Sequence, residues 1–423
     1  MTHSTVIFQS SAMTAIDPNQ FVADLQSYCS EGRPTQRVTR RCVCRDGAEV
    51  EIPVFVNHFW LRGQRVGSSL HRVAGREMFS PLLARFFIET LSRPNDIVYD
   101  CCMGRGTAPI EAALLGRVPF GTDANPLCAM IVQPRLRPQP PHTVNGRIRY
   151  FDEFCHQILP SFLRPIFHPE TLFDLCSLRD YFLRIQEEGP LDDADSWVRM
   201  LVIISLGGPR VGYLIGPSIH ANTPMLPTRF WRPRAPEGCL LPKKELFNCL
   251  RLRSESLTAT WDPLARRAME AVVSRAVLLT ARADETSIIQ AECVSLIVTG
   301  PPGLKSFSYR KENWLKCWFV DLDPDSVNVS AHRVLDDWAE EMTRVFEESY
   351  RVLKPGGYCA LDIGRLRPRK IRWDDVVLDC ALSGGFEPVG IIVNTKFYGR
   401  SLLERPFLTR ESLFDEVLVL RKP

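Results

Sequence analysis

The stretch Asp96-Ile-Val-Tyr-Asp100-Cys-Cys-Met-Gly-Arg-Gly106 predicts a short buried strand that runs directly into a glycine turn. Ala108-Pro-Ile-Glu-Ala-Ala-Leu-Leu115 follows with helical spacing and is closed by Gly116. A second apolar strand, Val118-Pro-Phe-Gly-Thr-Asp123, ends in a carboxylate before Asn125-Pro126. Because two parallel strands joined by a helix need a right-handed crossover, this stretch predicts a βαβ half-unit of an α/β fold.

The glycine turn predicts a ligand site of the nucleotide type. Gly104 and Gly106 let the backbone approach a ligand where a Cβ would collide, and the helix behind them offers unpaired N–H groups. Asp123 follows roughly twenty residues later, where a carboxylate can accept hydrogen bonds from a ribose diol. The turn lacks the third glycine of a dinucleotide fingerprint, and no Gly-Lys-Ser/Thr follows it, which disfavours a dehydrogenase and a P-loop kinase. For the two glycines alone, a plain tight turn remains the alternative.

Composition indicates a globular chain, and its length is enough for two to three domains. The 423 residues are 45% hydrophobic and 24% charged, which excludes a disordered, collagenous or coiled-coil chain. With 52 Lys and Arg against 49 Asp and Glu, attraction to a polyanion has to come from local patches. The 14 cysteines are scattered through apolar stretches without paired zinc spacing, so we expect buried thiols and no metal. Without a leader or membrane span in the pattern, we expect a cytoplasmic protein.

The pattern divides the chain into four parts. Residues 1–50 read as a lead-in, residues 51–140 and 271–423 alternate strands with helices, and residues 141–270 read as inserted helices and loops. Pro134 to Pro141 is interpreted as a linker. The later elements that the pattern predicts are a buried strand at Val294–Val298, a turn at Thr299–Gly303, a helix over Trp338–Leu353 that ends at Lys354–Gly357, and strands at Tyr358–Ile363, Val389–Val393 and Glu416–Leu420.

Several segments, taken in order, resemble the amino-directed DNA methyltransferases. These enzymes transfer a methyl group from S-adenosylmethionine to the exocyclic nitrogen of adenine or cytosine. The similar segments cover residues 70–140 and 275–423, and they are Asp100–Gly116 with Gly121–Pro126, His71–Pro81, Val294–Gly303, Tyr309–Phe319 and Tyr350–Gly357. The resemblance implies a class I, Rossmann-like methyltransferase sheet with a mostly helical insertion after the second strand.

The resemblance also implies which residues hold S-adenosylmethionine and which act on the target. The implied cofactor residues are Phe79, Asp100, Met103, Gly104, Gly106, Thr107 and Asp123, and the implied catalytic residues are Thr299, Gly300, Pro301, Pro302 and Tyr309. A rigid double-proline turn suits this reaction because acceptors must hold the N–H groups of a flipped base while its nitrogen faces the methyl carbon.

The catalytic motif departs from the family pattern at two positions. The family has a polar side chain before the two prolines and an aromatic ring after them, whereas this chain has Gly300 and Gly303. Thr299 could supply the acceptor one residue early, and Phe307 or Tyr309 could supply the stacking ring. A relative that has lost catalysis and acts as a nucleic-acid-binding or partner subunit is therefore one alternative, and an RNA amino-methyltransferase is another.

The expected macromolecular partner is double-stranded DNA with the target base flipped, and a restriction or other partner subunit is a further expectation. Cations interleaved with aromatic residues suit phosphate and base contacts. The candidates are Arg229, Arg232, Arg234, Lys243 and Lys244 in the insertion and Arg367, Arg369 and Lys370 after the fifth strand, with a solvated surface as the alternative for both groups. The whole interpretation requires that the glycine turn and the double-proline corner line one cleft.

Overall fold

The computed structural model describes residues 16–30, 32–60, 67–73, 79–150, 159–164, 166–206, 214, 243–260, 262–304, 309–364, 366, 370–395 and 414–423. Two short strands, β1 (Cys29–Ser30) and β2 (Arg33–Pro34), pair with each other. The strands of the main sheet are β3 (Gln36–Val43), β4 (Glu49–Asn57), β5 (Ile97–Asp100), β6 (Val118–Asp123), β7 (Val277–Thr280), β8 (Val294–Thr299), β9 (Leu353–Asp362), β10 (Glu387–Thr395) and β11 (Phe414–Arg421).

The helices flank this sheet and fill the insertion. They are α1 (Pro18–Ser27), α2 (Pro81–Leu91), α3 (Thr107–Leu114), α4 (Pro126–Val132), α5 (Pro141–Tyr150), α6 (Pro169–Glu188), α7 (Asp193–Ser205), α8 (Leu246–Thr258), α9 (Pro263–Val272), α10 (Tyr309–Phe319), α11 (Leu335–Val352) and α12 (Trp373–Ser383). In the described part of the chain, no helix is both long and apolar enough to span a bilayer.

The main sheet has the order β3-β4-β10-β11-β9-β8-β5-β6-β7. Strands β5 to β9 run parallel, β11 runs antiparallel to both its neighbours, and β4 is parallel to β10. The described elements between β6 and β7 are helices and turns, with no strand among them. The predicted α/β fold, a mostly parallel sheet with a helical insertion after the second strand, is confirmed.

Helix α2 shows how the local sequence builds one face of the sheet. Ser80 caps the helix by accepting the Leu82 N–H at 3.3 Å, and Pro81 occupies the first turn, where its missing N–H costs nothing. The apolar spacing then buries Leu83, Phe87 and Ile88 completely or nearly so. Burial of each such side chain stabilises the fold by roughly 1.5–3 kcal/mol, so α2 is held mainly by packing on this face.

Three local features differ from the sequence prediction. The part of the chain that reads as a lead-in contains α1, which buries Phe21 and Leu25, and the edge strand β3. Gln133–Leu136 forms a buried 3₁₀ turn where a linker is expected. Lys354–Gly357 lies within β9 as an irregularity between the Val294–Leu353 and Leu296–Tyr358 pairs, and Gly356 and Gly357 exchange backbone hydrogen bonds with Lys422.

Helices α5 to α9 occupy the segment interpreted as the insertion. The indole of Trp197 on α7 is fully buried and donates to the Ser254 hydroxyl on α8 at 3.0 Å. Helix α7 also packs against α4, which follows directly from β6. The insertion therefore shares the core that supports the carboxyl end of β6.

Candidate active site

The order of the strands predicts a ligand crevice between β5 and β8. From β5 the chain proceeds to β6 and β7 on one side, and after the insertion it returns to β8 and β9 on the other side. Such a reversal of strand order opens a crevice at the carboxyl ends of the two central strands, where ligands of open α/β sheets bind. Strand β5 ends at Asp100 and β8 ends at Thr299. The glycine turn and the double-proline corner thus leave the sheet side by side.

The glycine turn is fixed by backbone conformation and by packing. Gly104 and Gly106 have φ values of +49° and +75°, in the left-handed region that side chains disfavour. A Cβ on Gly106 would also lie 2.6 Å from two methyl carbons of Val132 on α4. Gly106 is the N-cap of α3 and offers no side chain to the first N–H groups of that helix. The turn therefore keeps open donors beside the crevice.

Asp123 at the end of β6 is hydrogen-bonded to this turn. Its Oδ2 accepts the Gly104 N–H at 2.8 Å, and its Oδ1 accepts the Asn125 N–H at 2.9 Å. Burial raises the pKa of the Asp123 carboxyl, and these two bonds work against that rise. The predicted contact with a ribose stays a prediction, with the carboxylate in place at the end of the second strand.

Met103 and Thr107 are buried beside the turn. Met103 donates its backbone N–H to the Thr122 carbonyl at 2.9 Å, and its side chain packs so closely on Gly121 that a Cβ there would lie 2.7 Å from the sulfur. Thr107 is buried in the first turn of α3. Both residues therefore pack in the core beside the glycine turn.

Asp100 carries the most unusual charge environment of the crevice. Its side chain is 1% exposed, and Oδ1 accepts the Thr299 hydroxyl at 2.7 Å and the Cys102 N–H at 3.1 Å. Oδ2 is buried and has no hydrogen-bond partner among the residues that the structure describes. Burial raises the pKa of Asp100 to about 7, against the lowering effect of the bonds from Thr299 and Cys102. A buried acceptor without a donor is costly, so this oxygen needs a physical explanation.

The Gly300-Pro301-Pro302 corner begins where Thr299 pairs with Leu361 of β9. The Thr299 side chain is turned toward Asp100 and Cys101, which lie at the end of β5. The carbonyl of Pro302 accepts the indole N–H of Trp338 at 2.8 Å, which anchors the corner to α11. A Cβ on Gly300 would meet Phe79 at 3.4 Å and Asp362 at 3.6 Å. Phe79 therefore packs against the corner. The sequence analysis implies that Phe79 contacts the cofactor, and that contact stays a prediction.

Tyr309 lies at the start of α10, on the β6 side of the crevice. Its hydroxyl donates to Asn125 Oδ1 at 2.7 Å, and its ring is buried with Leu127 and Cys317. Burial and the neighbouring Cys317 raise the pKa of Tyr309 well above its usual value. A stacking role on a target base would require this side chain to leave Asn125. Phe307, the other stacking candidate, lies outside the described residues.

The candidate DNA contacts are only partly described. Arg229, Arg232, Arg234, Arg367 and Arg369 lie outside the described residues. Lys243 is exposed and pairs with Glu170 at 2.5 Å and Glu245 at 3.3 Å. Lys244 is half-buried next to α8, and Lys370 is exposed before α12. A phosphate would have to replace two carboxylates at Lys243, which weakens this lysine as a phosphate ligand.

Two cations near the site, one of them fully buried, carry no sequence signal. Arg135 is fully buried and donates to the carbonyls of Ile131, Leu70 and Arg105, so it ties the glycine turn to the segment before α2. Burial, followed by repulsion from Arg105, lowers the pKa of Arg135 to about 9. Lys316 on α10 lies near Arg105 and Cys128, and burial lowers its pKa to about 8. A sequence pattern of apolar spacing cannot single out either cation.

Comparisons with known proteins give distant likenesses only. No family model matches the chain, and no curated protein matches it in sequence. A TehB-like SAM-dependent methyltransferase from Corynebacterium glutamicum is 10% identical over 80% of this chain and 87% of its own, with a TM-score of 0.30. The rRNA methyltransferase aviRa from Streptomyces viridochromogenes is 10% identical over 84% of this chain and 90% of its own, with a TM-score of 0.33. Likenesses this distant assign no activity, which has to be inferred from the chemistry of the site.

Proposed function

We propose that this chain is an S-adenosylmethionine-dependent methyltransferase that acts on an exocyclic amino nitrogen of adenine or cytosine in double-stranded DNA. The observation that carries the proposal is the buried, unpartnered Oδ2 of Asp100 at the point where the strand order reverses. An ammonium group is the natural partner of such an oxygen, because a charge-assisted hydrogen bond offsets the cost of burying the carboxylate.

The described residues fit the cofactor in three places. Asp100 would receive the ammonium of its amino acid part, the glycine turn and the start of α3 would cradle the chain next to it, and Asp123 would face the ribose hydroxyls. When bound there, the cofactor supplies an electrophilic methyl group on a sulfonium. The ionised form of Asp100 favours a cationic ligand, and the closed packing of Met103 and Phe79 excludes water from that wall.

The target side of the crevice is formed by the Gly300-Pro301-Pro302 corner. Since Trp338 holds the Pro302 carbonyl, the corner presents a fixed backbone to an amino group without reorganisation during the reaction. The choice of DNA as the polymer rests on the motif resemblance, supported by the exposed Lys370 in the segment that follows β9. A restriction partner would be a further consequence of the same resemblance.

A second candidate is a subunit that binds cofactor and nucleic acid without catalysis. The motif positions occupied by Gly300 and Gly303 favour it, since they lack the polar and aromatic side chains of the active pattern. Incubation with tritium-labelled S-adenosylmethionine and mixed DNA and RNA, followed by nucleoside analysis, separates the candidates. Label in methylated adenine or cytosine of DNA supports the proposal, label in RNA bases moves the target to RNA, and cofactor binding without label supports the non-catalytic subunit.

A further inference from the structure

The gap at Gly300 lies next to a buried carboxylate on the neighbouring strand. Thr299 pairs with Leu361 in the parallel β8–β9 ladder, so Gly300 and Asp362 come next in register. Side chains at matched positions of adjacent strands point to the same face of a sheet. Accordingly, a Cβ on Gly300 would lie 3.6 Å from the Cβ of Asp362. The side chain that the motif lacks would have shared its space with Asp362.

Asp362 is held rigidly at the end of β9. Its side chain is 2% exposed, and Oδ1 accepts the Gly364 N–H at 3.2 Å. The turn that follows is bound to β11, because the Ile363 and Gly364 N–H groups both donate to the Glu416 carbonyl. A Cβ on Gly364 would lie 2.7 Å from the Glu416 nitrogen, so only glycine fits this approach. A carboxylate fixed in this way loses little conformational entropy when it binds a substrate group.

Two polar groups of the corner have partners on neighbouring elements. The Thr299 hydroxyl donates to Asp100, and the Pro302 carbonyl accepts from Trp338. Asp100 accepts two bonds on one oxygen and lies on the cofactor strand β5. In sheet order, β8 lies between β5 and β9, so Asp100 and Asp362 flank the corner from opposite sides. This arrangement places one carboxylate on each side of the corner.

We propose that Asp362 is the catalytic acceptor for the target amine, in place of the side chain that Gly300 lacks. The inference rests on the proposed function. The amine nitrogen attacks the methyl carbon with its lone pair, and the carbon–sulfur bond breaks with its electrons going to sulfur. The proton that the nitrogen loses passes to the Asp362 carboxylate and then to water, leaving a methylated amine and a neutral thioether.

The test compares Asp362→Asn with a matched buried carboxylate, Asp195→Asn on α7, which lies in the insertion core and bonds to Tyr181. Tritium transfer to DNA is measured together with calorimetric affinity for S-adenosylmethionine. We expect Asp362→Asn to lower transfer by about 100-fold or more, in the range of a lost general base, with the cofactor dissociation constant changed less than about threefold. Asp195→Asn should retain transfer within about threefold at a temperature where it is folded.

A relocation variant guards against simple misfolding. Gly300 accepts a Cβ at ordinary contact distance from Phe79, so Asp362→Ala combined with Gly300→Asp moves the carboxylate by one strand. We expect this double variant to exceed Asp362→Ala alone by about tenfold or more, within the range of one recovered acceptor. Wild-type transfer by Asp362→Asn, or no gain on relocation, would overturn the inference while leaving the proposed function intact. Absence of transfer by the wild type would remove both.

Discussion

Replacement of Asp100 by Asn should move stability and cofactor binding in opposite directions. Burial raises the pKa of Asp100 from 3.8 to about 7, a difference of about three units, and each unit corresponds to about 1.4 kcal/mol. Ionised Asp100 therefore costs the ligand-free protein up to about 4 kcal/mol at pH 8. The amide keeps an acceptor for Thr299 and Cys102 but leaves an unpaired donor where Oδ2 was, so we expect a net gain of about 2 kcal/mol in unfolding free energy.

The sign of the pH dependence follows from the direction of the shift. Because the folded state of Asp100 holds its proton to a higher pH than the unfolded chain, this carboxyl lowers stability as the pH rises from about 4 to about 7, and its effect is constant above that. Urea unfolding at pH 5 and at pH 8 measures this directly. The stability difference between Asp100→Asn and the wild type should be larger at pH 8 than at pH 5.

Cofactor binding supplies the other half of the test. Loss of a charge-assisted hydrogen bond worth about 1.5–3 kcal/mol should weaken S-adenosylmethionine binding by about 10- to 100-fold in calorimetry. Asp195→Asn serves as the control, since that carboxylate is buried on α7 in the insertion and bonds to Tyr181. A less stable Asp100→Asn protein that binds the cofactor as tightly as the wild type would refute the assignment of Asp100 as a ligand group.

Three further predictions follow from the same geometry. Wild-type affinity for S-adenosylmethionine should fall by up to about tenfold per pH unit below pH 7 as Asp100 takes up a proton, and Asp100→Asn should bind with no such dependence in calorimetry. Gly106→Ala should lower the unfolding free energy by about 2–3 kcal/mol in urea melts and should weaken cofactor binding, because φ is +75° and the new methyl group meets Val132. Adding Val132→Ala removes the contact but not the strained φ, so it should restore only part of the lost stability. Trp338→Phe should lower methyl transfer by about tenfold with unchanged cofactor affinity, because the Pro302 carbonyl loses its anchor; equal losses in both measurements would contradict this positioning role.

The placement of the residues predicted to hold the cofactor could be foreseen because they are close in sequence, while their contact with the cofactor stays a prediction. Asp100, the two glycines and Asp123 belong to one strand, turn, helix and strand unit, whose local pattern determines their placement. The position of Thr299 beside Asp100 is a long-range contact, and it followed from the expectation that both corners leave the same edge of one parallel sheet. The structure brings these two corners together as that interpretation requires.

The target side could not be predicted because it depends on register and on buried polar groups. Nothing in the sequence pairs Asp362 with Gly300, since the ladder between β8 and β9 contains an irregularity between Val294 and Leu296 that shifts the count. Arg135 lies in a proline-rich segment that is typical of a linker, yet its three carbonyl partners keep it in the core. Tyr309 occupies the expected place in the chain, but Asn125 holds its hydroxyl on the β6 side.

The most direct measurement of the central claim is the crystal structure of the protein bound to S-adenosylhomocysteine. If the crevice between β5 and β8 is the cofactor site, the ammonium nitrogen of the ligand will lie about 2.7–3.2 Å from Asp100 Oδ2, and the ribose will face Asp123. A ligand bound at another edge of the sheet, or one whose ammonium makes no contact with Asp100, would contradict the claim.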